Sequence, residues 1–472
     1  MNLISPIGLI RLIGPIKIRK KMNNRIFSEE LVAQVAEELL IADLQRATIG
    51  EVLLLSSELE RRTGIPFIRM DQGSPGLPSC TIGREAEKEA LDRDVASQYP
   101  AAAGVPELKK EASRFVKAFM NIDMPAECCI PTVGSVAASY GAFIAVTQAT
   151  PQKNKVLFID PGFPIQRSQL KIIGADYLQF DIYSYRGEAL RDKIEEFFKR
   201  GDIAAIIYSN PNNPAWICLE ESELQIIGEL ADKYGVIVLE DLAYFCMDFR
   251  QYLGKPWEPP YVPTVGRYCK NYIVMLSSSK IFSYAGQRMA VACLSPNLYD
   301  TCFEGLAARY GGKGHFGSTF TASIMYMITS GVTHSTQYGY AAMLKAATDG
   351  ELDFVAETEE YARRAARMKK IFTDNGFTIV YDRDVTREVG DGFFFTIGYP
   401  GIKSGELLKE LLYYGVSSIS LSTTGSEEEG VRACTSRMRE ELYPVLEERM
   451  RNFKKDHPFF NEELEMRNGG IN

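Results

Sequence analysis

The sequence predicts an α/β protein in which a large domain is built on a mostly parallel β-sheet and a smaller domain is α+β. The first observation is that short apolar runs rich in Val and Ile alternate with amphipathic helical stretches from about residue 95 onward. That alternation is typical of a parallel sheet covered by helices. Four runs stand out as buried strands: Val156–Ile159, Ala204–Tyr208, Val236–Leu239 and Tyr272–Leu276.

The second observation is a change of pattern after about residue 350. A long charged helix is expected over Glu351–Lys370, followed by a strand at Phe393–Ile397 and a helix that includes Leu407–Tyr413. This order indicates a separate α+β unit, which we expect an amino-terminal segment beginning at Ser28 to join. The predicted organisation is a disordered leader, that amino-terminal segment, a large domain and a small domain, at residues 1–27, 28–94, 95–345 and 346–472.

The composition narrows the class of protein. With 46% hydrophobic and 24% charged residues the chain is an ordinary globular one. Its formal net charge of −8 argues against nucleic-acid and anionic-membrane surfaces, because phosphate binding requires a basic face. The nine cysteines contain no CxxC pair and the three histidines show no metal-ligand spacing. We therefore expect buried thiols, no metal and a cytoplasmic location.

The first 21 residues are apolar and basic, but Pro6 and Pro15 interrupt the apolar runs and the positive charges cluster after them. That arrangement is the reverse of a secretory signal, and no stretch of the sequence is long enough to span a bilayer. We interpret the segment as a disordered leader, with Met22 as an alternative start of translation. A weak membrane-surface anchor is the competing interpretation.

Reactive and polar side chains follow the four predicted strands at the point where each strand ends. In open parallel sheets, ligands bind beyond the carboxyl ends of the strands. The four ends carry an aromatic ring, an amide, a carboxylate with a phenol, and a hydroxyl cluster with an amine: Phe163, Asn213, Asp241 with Tyr244, and Ser277 to Lys280. We therefore expect these side chains to form one ligand site.

Pyridoxal 5′-phosphate is a ligand that requires this set of groups. Its aldehyde reacts with a lysine amine, its protonated pyridine nitrogen needs a buried carboxylate, and its ring stacks on an aromatic side chain. Its phosphate binds hydroxyls, an arginine and the N–H groups at a helix N-terminus. The strand ends supply a candidate for each of these contacts.

Between about Asp71 and Arg432 the chain resembles the class I/II aminotransferases, which are fold-type I pyridoxal phosphate enzymes. The resemblance rests on the motif Ser277-Ser-Ser-Lys280, which Arg288 follows eight residues later. It implies a cofactor-binding large domain with a seven-stranded sheet, and a homodimer with shared active sites.

The resemblance assigns catalytic roles to three residues. It implies that Lys280 forms the Schiff base with the cofactor and then acts as general base at the substrate Cα. Asp241, in the motif Asp241-x-x-Tyr244, is expected to face the pyridine nitrogen. Tyr244 is the third, and it is expected to contact the phenolic oxygen together with the cofactor-binding residue Asn213.

Other positions that match the family's pattern are expected to hold the rest of the cofactor. Phe163 matches the aromatic residue that stacks on the ring, and Arg288 matches the phosphate-binding arginine. The remaining expected phosphate contacts are two hydroxyls, a glycine turn with the start of a helix, and a tyrosine that reaches the phosphate of a partner subunit: Ser277, Ser279, Gly134, Ser135, Val136 and Tyr99.

The same resemblance predicts the substrate contacts. Arg432, in Gly430-Val-Arg432, matches the arginine that grips the α-carboxylate, while Gly73 and Asn213 are expected to line the pocket. Two positions depart from the family pattern: Trp216 replaces the glycine of the usual Asn-Pro-Thr-Gly, and Ala290 replaces a glycine after the phosphate arginine. We expect the bulky Trp216 to point toward the pocket or an interface.

The predicted function is an aminotransferase that moves an amino group between an amino acid and a 2-oxo acid by a ping-pong mechanism. A pyridoxal phosphate-dependent Cβ–S lyase on the same fold is one alternative, and a non-catalytic cofactor-binding or regulatory protein is another. The combination of Lys280, Asp241 and Arg432 favours catalysis. No second arginine can be assigned to the side-chain pocket, so the amino donor is not identified.

One further motif is expected to be unrelated to dinucleotide binding. Gly312-Lys-Gly-His-Phe-Gly317 matches the GxGxxG pattern, but it follows the helix-like stretch Thr301–Tyr310 and not a strand. Because the pattern binds dinucleotides only between a strand and a helix, we predict a glycine-rich loop.

Overall fold

A computed structural model describes residues 24–458 of the chain. Its centre is a sheet of seven strands drawn from these residues. In chain order the strands are β1 Cys129–Thr132, β2 Lys155–Asp160, β3 Tyr177–Asp181, β4 Ile203–Ser209, β5 Ile237–Leu242, β6 Tyr272–Ser277 and β7 Ala290–Leu294.

The order of the strands across the sheet is β1-β7-β6-β5-β4-β2-β3. The pairs from β6 to β3 are parallel, whereas β7 runs antiparallel to β6 and β1. The four strands predicted from apolar runs are therefore confirmed and lie side by side. Because they are parallel, their carboxyl ends meet at one edge of the sheet, and Ser209 pairs in register with Asp241 there.

Helices cover both faces of the sheet. Along β2, Val156 and Phe158 belong to one hydrophobic core and Leu157 and Ile159 to the other, as the period of two along a strand requires. The helices around the sheet are Thr81–Asp92, Pro106–Met120, Gly134–Ala149, Pro164–Ile173, Ala189–Phe198, Glu221–Tyr234, Ser278–Ile281, Pro296–Asp300, Glu304–Tyr310, Phe316–Ser318, Tyr326–Thr329, His334–Thr348 and Phe354–Thr358, with a π-helical segment at Thr319–Met325.

A second, antiparallel sheet follows in the carboxyl-terminal part. Its strands are β8 Thr378–Ile379, β9 Phe394–Gly398, β10 Ile419–Ser420 and β11 Val431–Cys434, in the order β10-β11-β9-β8. Two smaller ladders pair Ile68–Arg69 with Val416–Ser417 and Arg383–Asp384 with Arg387–Glu388. The accompanying helices are Glu29–Glu38, Ile49–Thr63, Glu360–Asp374, Ser404–Tyr413 and Tyr443–Asp456.

Short 3-10 helices connect several of these elements. They are Leu44–Arg46, Val95–Ser97, Ala126–Cys128, Ile182–Ser184, Val265–Arg267, Ala285–Gln287, Leu421–Thr424 and Glu440–Leu442.

The amino-terminal helices share a core with the carboxyl-terminal part. Val35 and Leu55 pack in one cluster with Phe372, Leu411 and Phe453. The helix Thr81–Asp92 packs instead on His334–Thr348, next to the large sheet. The domain boundaries expected at residues 94 and 345 stay a prediction.

The predicted leader, residues 1–27, falls mostly outside the described residues. Its last residues differ from the expectation of disorder. Ile26 N and Phe27 N both donate to the carbonyl oxygen of Tyr413, at 2.8 and 3.0 Å, and the Phe27 ring stacks on Phe67 at 4.9 Å between centroids. Residues 24–27 are therefore already part of the packed segment, ahead of Ser28.

Two other predictions concern the glycine-rich motif and the charged helix that follows the large domain. The glycine-rich motif at residues 312–317 follows the helix Glu304–Tyr310, which confirms that the strand needed for dinucleotide binding is missing at that position. The charged helix expected over Glu351–Lys370 is two helices, Phe354–Thr358 and Glu360–Asp374. Among the described residues, no helix combines the length and apolar character needed to cross a bilayer.

Close packing of a glycine gives a test of this arrangement. An ideal Cβ on Gly305 would overlap the carbonyl oxygen of Gln148, at the end of the helix Gly134–Ala149. Gly305→Ala should therefore lower the free energy of unfolding by about 1–3 kcal/mol, the usual cost of overpacking, in urea titrations followed by circular dichroism.

The matched control is Gly50→Ala, on the exposed first turn of the helix Ile49–Thr63. A Cβ there meets only Thr48 Oγ1, at 4.0 Å, so alanine's higher helix propensity should leave the stability equal or slightly higher. Equal losses in the two variants would contradict the packing described for Gly305.

Candidate functional site

The candidate site begins at the carboxyl end of β6. Ser277 ends that strand and caps the short helix Ser278–Ile281, because its Oγ accepts a hydrogen bond of 3.2 Å from Ser279 N in the first turn. This turn directs Lys280 inward, where its Nζ donates to the carbonyl oxygen of Gly73 and lies 5.3 Å from the centre of the Phe393 ring. Burial lowers the pKa of Lys280 to about 8, so a substantial neutral fraction is present near neutral pH.

Asp241 lies at the end of β5, one position inside the strand instead of just after it as predicted. Its buried carboxylate accepts hydrogen bonds from Gln166 Nε2 at 3.1 Å and from Ala243 N at 3.2 Å. Burial raises the pKa of Asp241 to about 6, although both donors lower it. Since both donors are neutral amides, a cationic ligand atom facing this carboxylate would stabilise its charge.

Arg432 is the buried cation of the site, with 3% of its surface exposed. Its Nη1 donates to Asn213 Oδ1 at 3.2 Å, and its Nη2 donates to the carbonyl oxygen of Asp71. Within residues 24–458, its Nε has no hydrogen-bond partner. Burial lowers the pKa of this guanidinium. A buried guanidinium that bonds neutral oxygens and keeps an unused donor is suited to receive a carboxylate.

The segment Asp71 to Gly73 links the two cationic groups. The carbonyl oxygen of Asp71 accepts from Arg432, and the carbonyl oxygen of Gly73 accepts from Lys280. An amine and a guanidinium are therefore held against the same short loop, so a carboxylate bound by Arg432 would lie on the side of the loop that also holds the Lys280 amine.

A second positive region lies at the start of the helix Gly134–Ala149. Gly134 has a φ of +74°, and an ideal Cβ on it would lie 2.5 Å from Arg288 Nη2. The exposed Arg288 guanidinium thus lies against the N-terminus of this helix, where Ser135 and Val136 form the first turn. A helix N-terminus beside an arginine is a favourable place for a phosphate.

An aromatic cluster surrounds the amine and the guanidinium. The buried Tyr244 ring lies 5.4 Å from Trp216, 5.5 Å from Phe393 and 5.4 Å from Phe394, measured between ring centres. Burial raises the pKa of the Tyr244 phenol well above its usual value. The phenol therefore stays protonated and available as a donor.

The structure brings most of the predicted residues together. Gly73, Asn213, Tyr244, Lys280 and Arg432 are connected by the hydrogen bonds and ring contacts described above. Asp241 and Phe163 are linked to each other instead, because Gln166 on the helix Pro164–Ile173, which the half-buried Phe163 precedes, donates to Asp241. Tyr99 is 89% exposed.

Several residues at the site were not found from the sequence. Gln166 follows Phe163 by three positions, a helical spacing that could have placed it on the same turn. Phe393 and Phe394 looked like core residues of an apolar strand. Cys434 lies two positions after Arg432 on β11, hence on the same face, and its Sγ is 3.2 Å from Ser436 Oγ.

The chain matches one protein-family model over residues 66–449, described as aminotransferase class I and II. Among curated proteins, it is 26% identical over 256 residues to the aspartate aminotransferase of Pyrococcus horikoshii, covering 54% of this chain and 61% of that protein. The aligned region thus spans about three fifths of that relative.

Solved structures show the same fold. A single mutant of Thermus thermophilus aspartate aminotransferase superposes with a TM-score of 0.69 at 17% identity, covering 87% of this chain and 96% of that one. Pyrococcus furiosus alanine aminotransferase gives a TM-score of 0.69 at 19% identity, covering 89% of this chain and 99% of that one. These likenesses confirm the predicted mixed α/β fold with its mostly parallel sheet.

The lowered pKa of Lys280 gives a test of the site that needs no substrate. Only the neutral amine reacts with acetic anhydride, so brief labelling of the cofactor-free protein should acetylate Lys280 with a midpoint near pH 8. Exposed Lys233 is the internal control, because its ion pair with Glu195 at 2.6 Å raises its pKa above the ordinary value. Peptide mass spectrometry reads both sites, and a shared midpoint would contradict the buried environment of Lys280.

Proposed function

Because the chain belongs to the class I and II aminotransferase family, we propose that it moves an amino group between an amino acid and a 2-oxo acid. The observation that carries this proposal is the pair of cations on one loop: Lys280 Nζ on the Gly73 carbonyl and Arg432 Nη2 on the Asp71 carbonyl. An α-amino acid carries its carboxylate on the same carbon as its amino group, so Arg432 can bind the carboxylate while the neutral amine of Lys280 serves the reaction at that carbon. The reaction is a ping-pong one, since donor and acceptor use the same site in turn.

Class I and II aminotransferases use pyridoxal 5′-phosphate, and the residues present fit this cofactor. Lys280 would hold its aldehyde carbon, and Asp241 would face its ring nitrogen. The unused Nε of Arg432 is a donor for the substrate and not for the cofactor, whereas the region of Gly134 and Arg288 suits a dianionic phosphate. When bound, the cofactor supplies an electron sink that stabilises negative charge at the substrate Cα.

The remaining expected cofactor contacts stay part of this proposal. They are a stacking ring, an amide and a phenol on the ring oxygen, and hydroxyl and N–H groups for the phosphate: Phe163, Asn213, Tyr244, Ser277, Ser279, Ser135 and Val136.

Lys280 is the proposed general base. With a pKa of about 8, its amine is neutral often enough to take the proton from the substrate Cα, and it is basic enough to hold that proton. Burial disfavours the charged form of this amine, and the neighbouring cations Arg432 and Arg288 lower its pKa further.

Asp241 and Arg432 position the reactants. Above its pKa of about 6, the buried Asp241 carboxylate would keep a proton on the ring nitrogen. Arg432 would bind the substrate carboxylate through its planar donors, and the Phe394 ring under the guanidinium, 4.6 Å away, limits its movement.

We further propose a homodimer with shared sites in the cytoplasm. Tyr99 is 89% exposed in this chain, and an exposed aromatic side chain is typical of residues buried in a subunit interface. The proposed role of Tyr99 is to reach the cofactor phosphate of the partner subunit. The cytoplasmic location is supported by the nine cysteines, all of them free thiols in the structure.

Substitution of the carboxylate-binding arginine tests the proposal. Arg432→Gln should raise the KM for both the amino acid and the 2-oxo acid by about 10- to 100-fold, because a charge-assisted hydrogen bond contributes about 1.5–3 kcal/mol. Steady-state kinetics with both substrates varied should give the parallel lines of a ping-pong reaction.

Arg437→Gln, an exposed arginine on the same tail, is the matched control and should leave both KM values unchanged. If the two substitutions raised the KM values equally, the effect would come from the charge of the tail, and the proposed role of Arg432 would be contradicted.

A further inference from the structure

Trp216 is held in an unfavourable conformation at the edge of the candidate site. Its φ is +63°, in the left-handed region that tryptophan rarely adopts, and none of its surface is exposed. Its Nε1 donor is buried and, in the part of the chain that the structure describes, has no hydrogen-bond acceptor. Strained and unsatisfied groups of this kind persist mainly where a function depends on them.

The indole packs between the two sheets. On one side it contacts the Tyr244 ring at 5.4 Å and the Phe394 ring at 6.3 Å, both edge to face. On the other side it lies directly on Gly392, where an ideal Cβ would overlap the indole atoms. Glycine at residue 392 therefore makes the space that the indole fills.

Phe394 connects Trp216 to the carboxylate-binding arginine. Strands β9 and β11 are antiparallel, with Phe394 opposite Cys434 and Thr396 opposite Arg432, so Phe394 and Arg432 are diagonal neighbours on one face. The Arg432 guanidinium lies 4.6 Å from the centre of the Phe394 ring. An ideal Cβ on Gly73 would lie 3.1 Å from the tip of the same ring, so the loop that binds Lys280 also contacts it.

We propose that Trp216 is a positioning residue that fixes the Phe394 ring beneath Arg432 and thereby sets the orientation in which the substrate carboxylate is bound. This inference rests on the proposed function, which assigns the carboxylate to Arg432. Arg432 bonds only neutral oxygens among its hydrogen-bond acceptors in the described residues. The ring below it is therefore a further constraint on its orientation beside these two hydrogen bonds, and that ring contacts Trp216, Tyr244 and Phe393.

Carboxylate binding by the holoenzyme tests the proposal without turnover. The probe is 3-phenylpropionate, which has a carboxylate but no amine to react with Lys280, and isothermal titration calorimetry gives its Kd. Trp216→Gly removes the indole, and glycine accepts the φ of +63° without strain. We expect this variant to bind the probe about tenfold more weakly, with a KM for the amino acid raised by a similar factor and little change in kcat.

A double-mutant cycle with Phe394→Leu identifies the route. If Trp216 acts through Phe394, the double variant should bind the probe about as weakly as the weaker single variant, because coupled residues are not additive. Independent, additive losses would overturn the proposal. So would a Trp216→Gly variant that binds the probe as tightly as the wild type.

Trp257→Gly is the matched control. Trp257 is the second of the two tryptophans and also has a positive φ, of +69°, but it is 49% exposed and its Nε1 donates to the carbonyl oxygen of Thr348. The Trp257→Gly variant should leave the Kd of the probe unchanged. If it weakened binding of the probe as much as Trp216→Gly does, the effect would be assigned to general destabilisation. If Trp216→Gly does not fold, Trp216→Phe is used in its place, because it keeps a ring at the position. The proposal would be overturned if Trp216→Phe bound the probe with the Kd of the wild type and its effect were additive with that of Phe394→Leu.

Arg432→Gln separates this inference from the proposed function. If that variant loses the probe while Trp216→Gly retains it, only the positioning role fails. If the wild type does not bind the probe, or binds it no better than Arg432→Gln, the assignment of the carboxylate to Arg432 fails and the inference falls with it.

Discussion

The site depends on two cations, the half-buried amine of Lys280 and the buried guanidinium of Arg432, that bond to neutral oxygens of one loop. Removing an amine and a guanidinium from water is costly unless hydrogen bonds or a partner charge compensate. Here the carbonyl oxygens of Asp71 and Gly73 compensate in part, the pKa of Lys280 falls to about 8, and Arg432 keeps an unused Nε. The remaining cost is relieved when an anionic substrate binds, so the same burial that strains the free protein favours the ligand.

The other elements hold these cations in place. The parallel sheet brings the ends of β4, β5 and β6 to one edge, where Asn213, Asp241 and Lys280 lie at or just after the strand ends. The antiparallel sheet brings Phe394 and Arg432 to one face from the opposite side. The site is formed where the two sheets meet, and in our proposal the aromatic contacts across that junction align the substrate as well as stabilise the fold.

The parts of this arrangement that depend on local pattern could be predicted from the sequence. Strands that are buried on both faces appear in the sequence as apolar runs. Lys280 and Asp241 were predicted because they follow two of these runs. β1 contains Pro131, and β7 consists largely of small residues, so neither showed a strand pattern. Gln166, Phe394 and the packing of Trp216 on Gly392 join segments far apart in the chain, which no local pattern encodes, and Tyr99 depends on a second subunit.

The most direct test of the central claim is the absorbance spectrum of the purified holoenzyme, titrated with single amino acids in the absence of any acceptor. We expect one class of donor to deplete the visible band of the bound cofactor, to release one equivalent of its 2-oxo acid per site and then to stop. Addition of a 2-oxo acid should restore the band. Continuous release of pyruvate and ammonia would identify a lyase instead, and a protein without any cofactor band, even after cofactor is added, would contradict the account altogether.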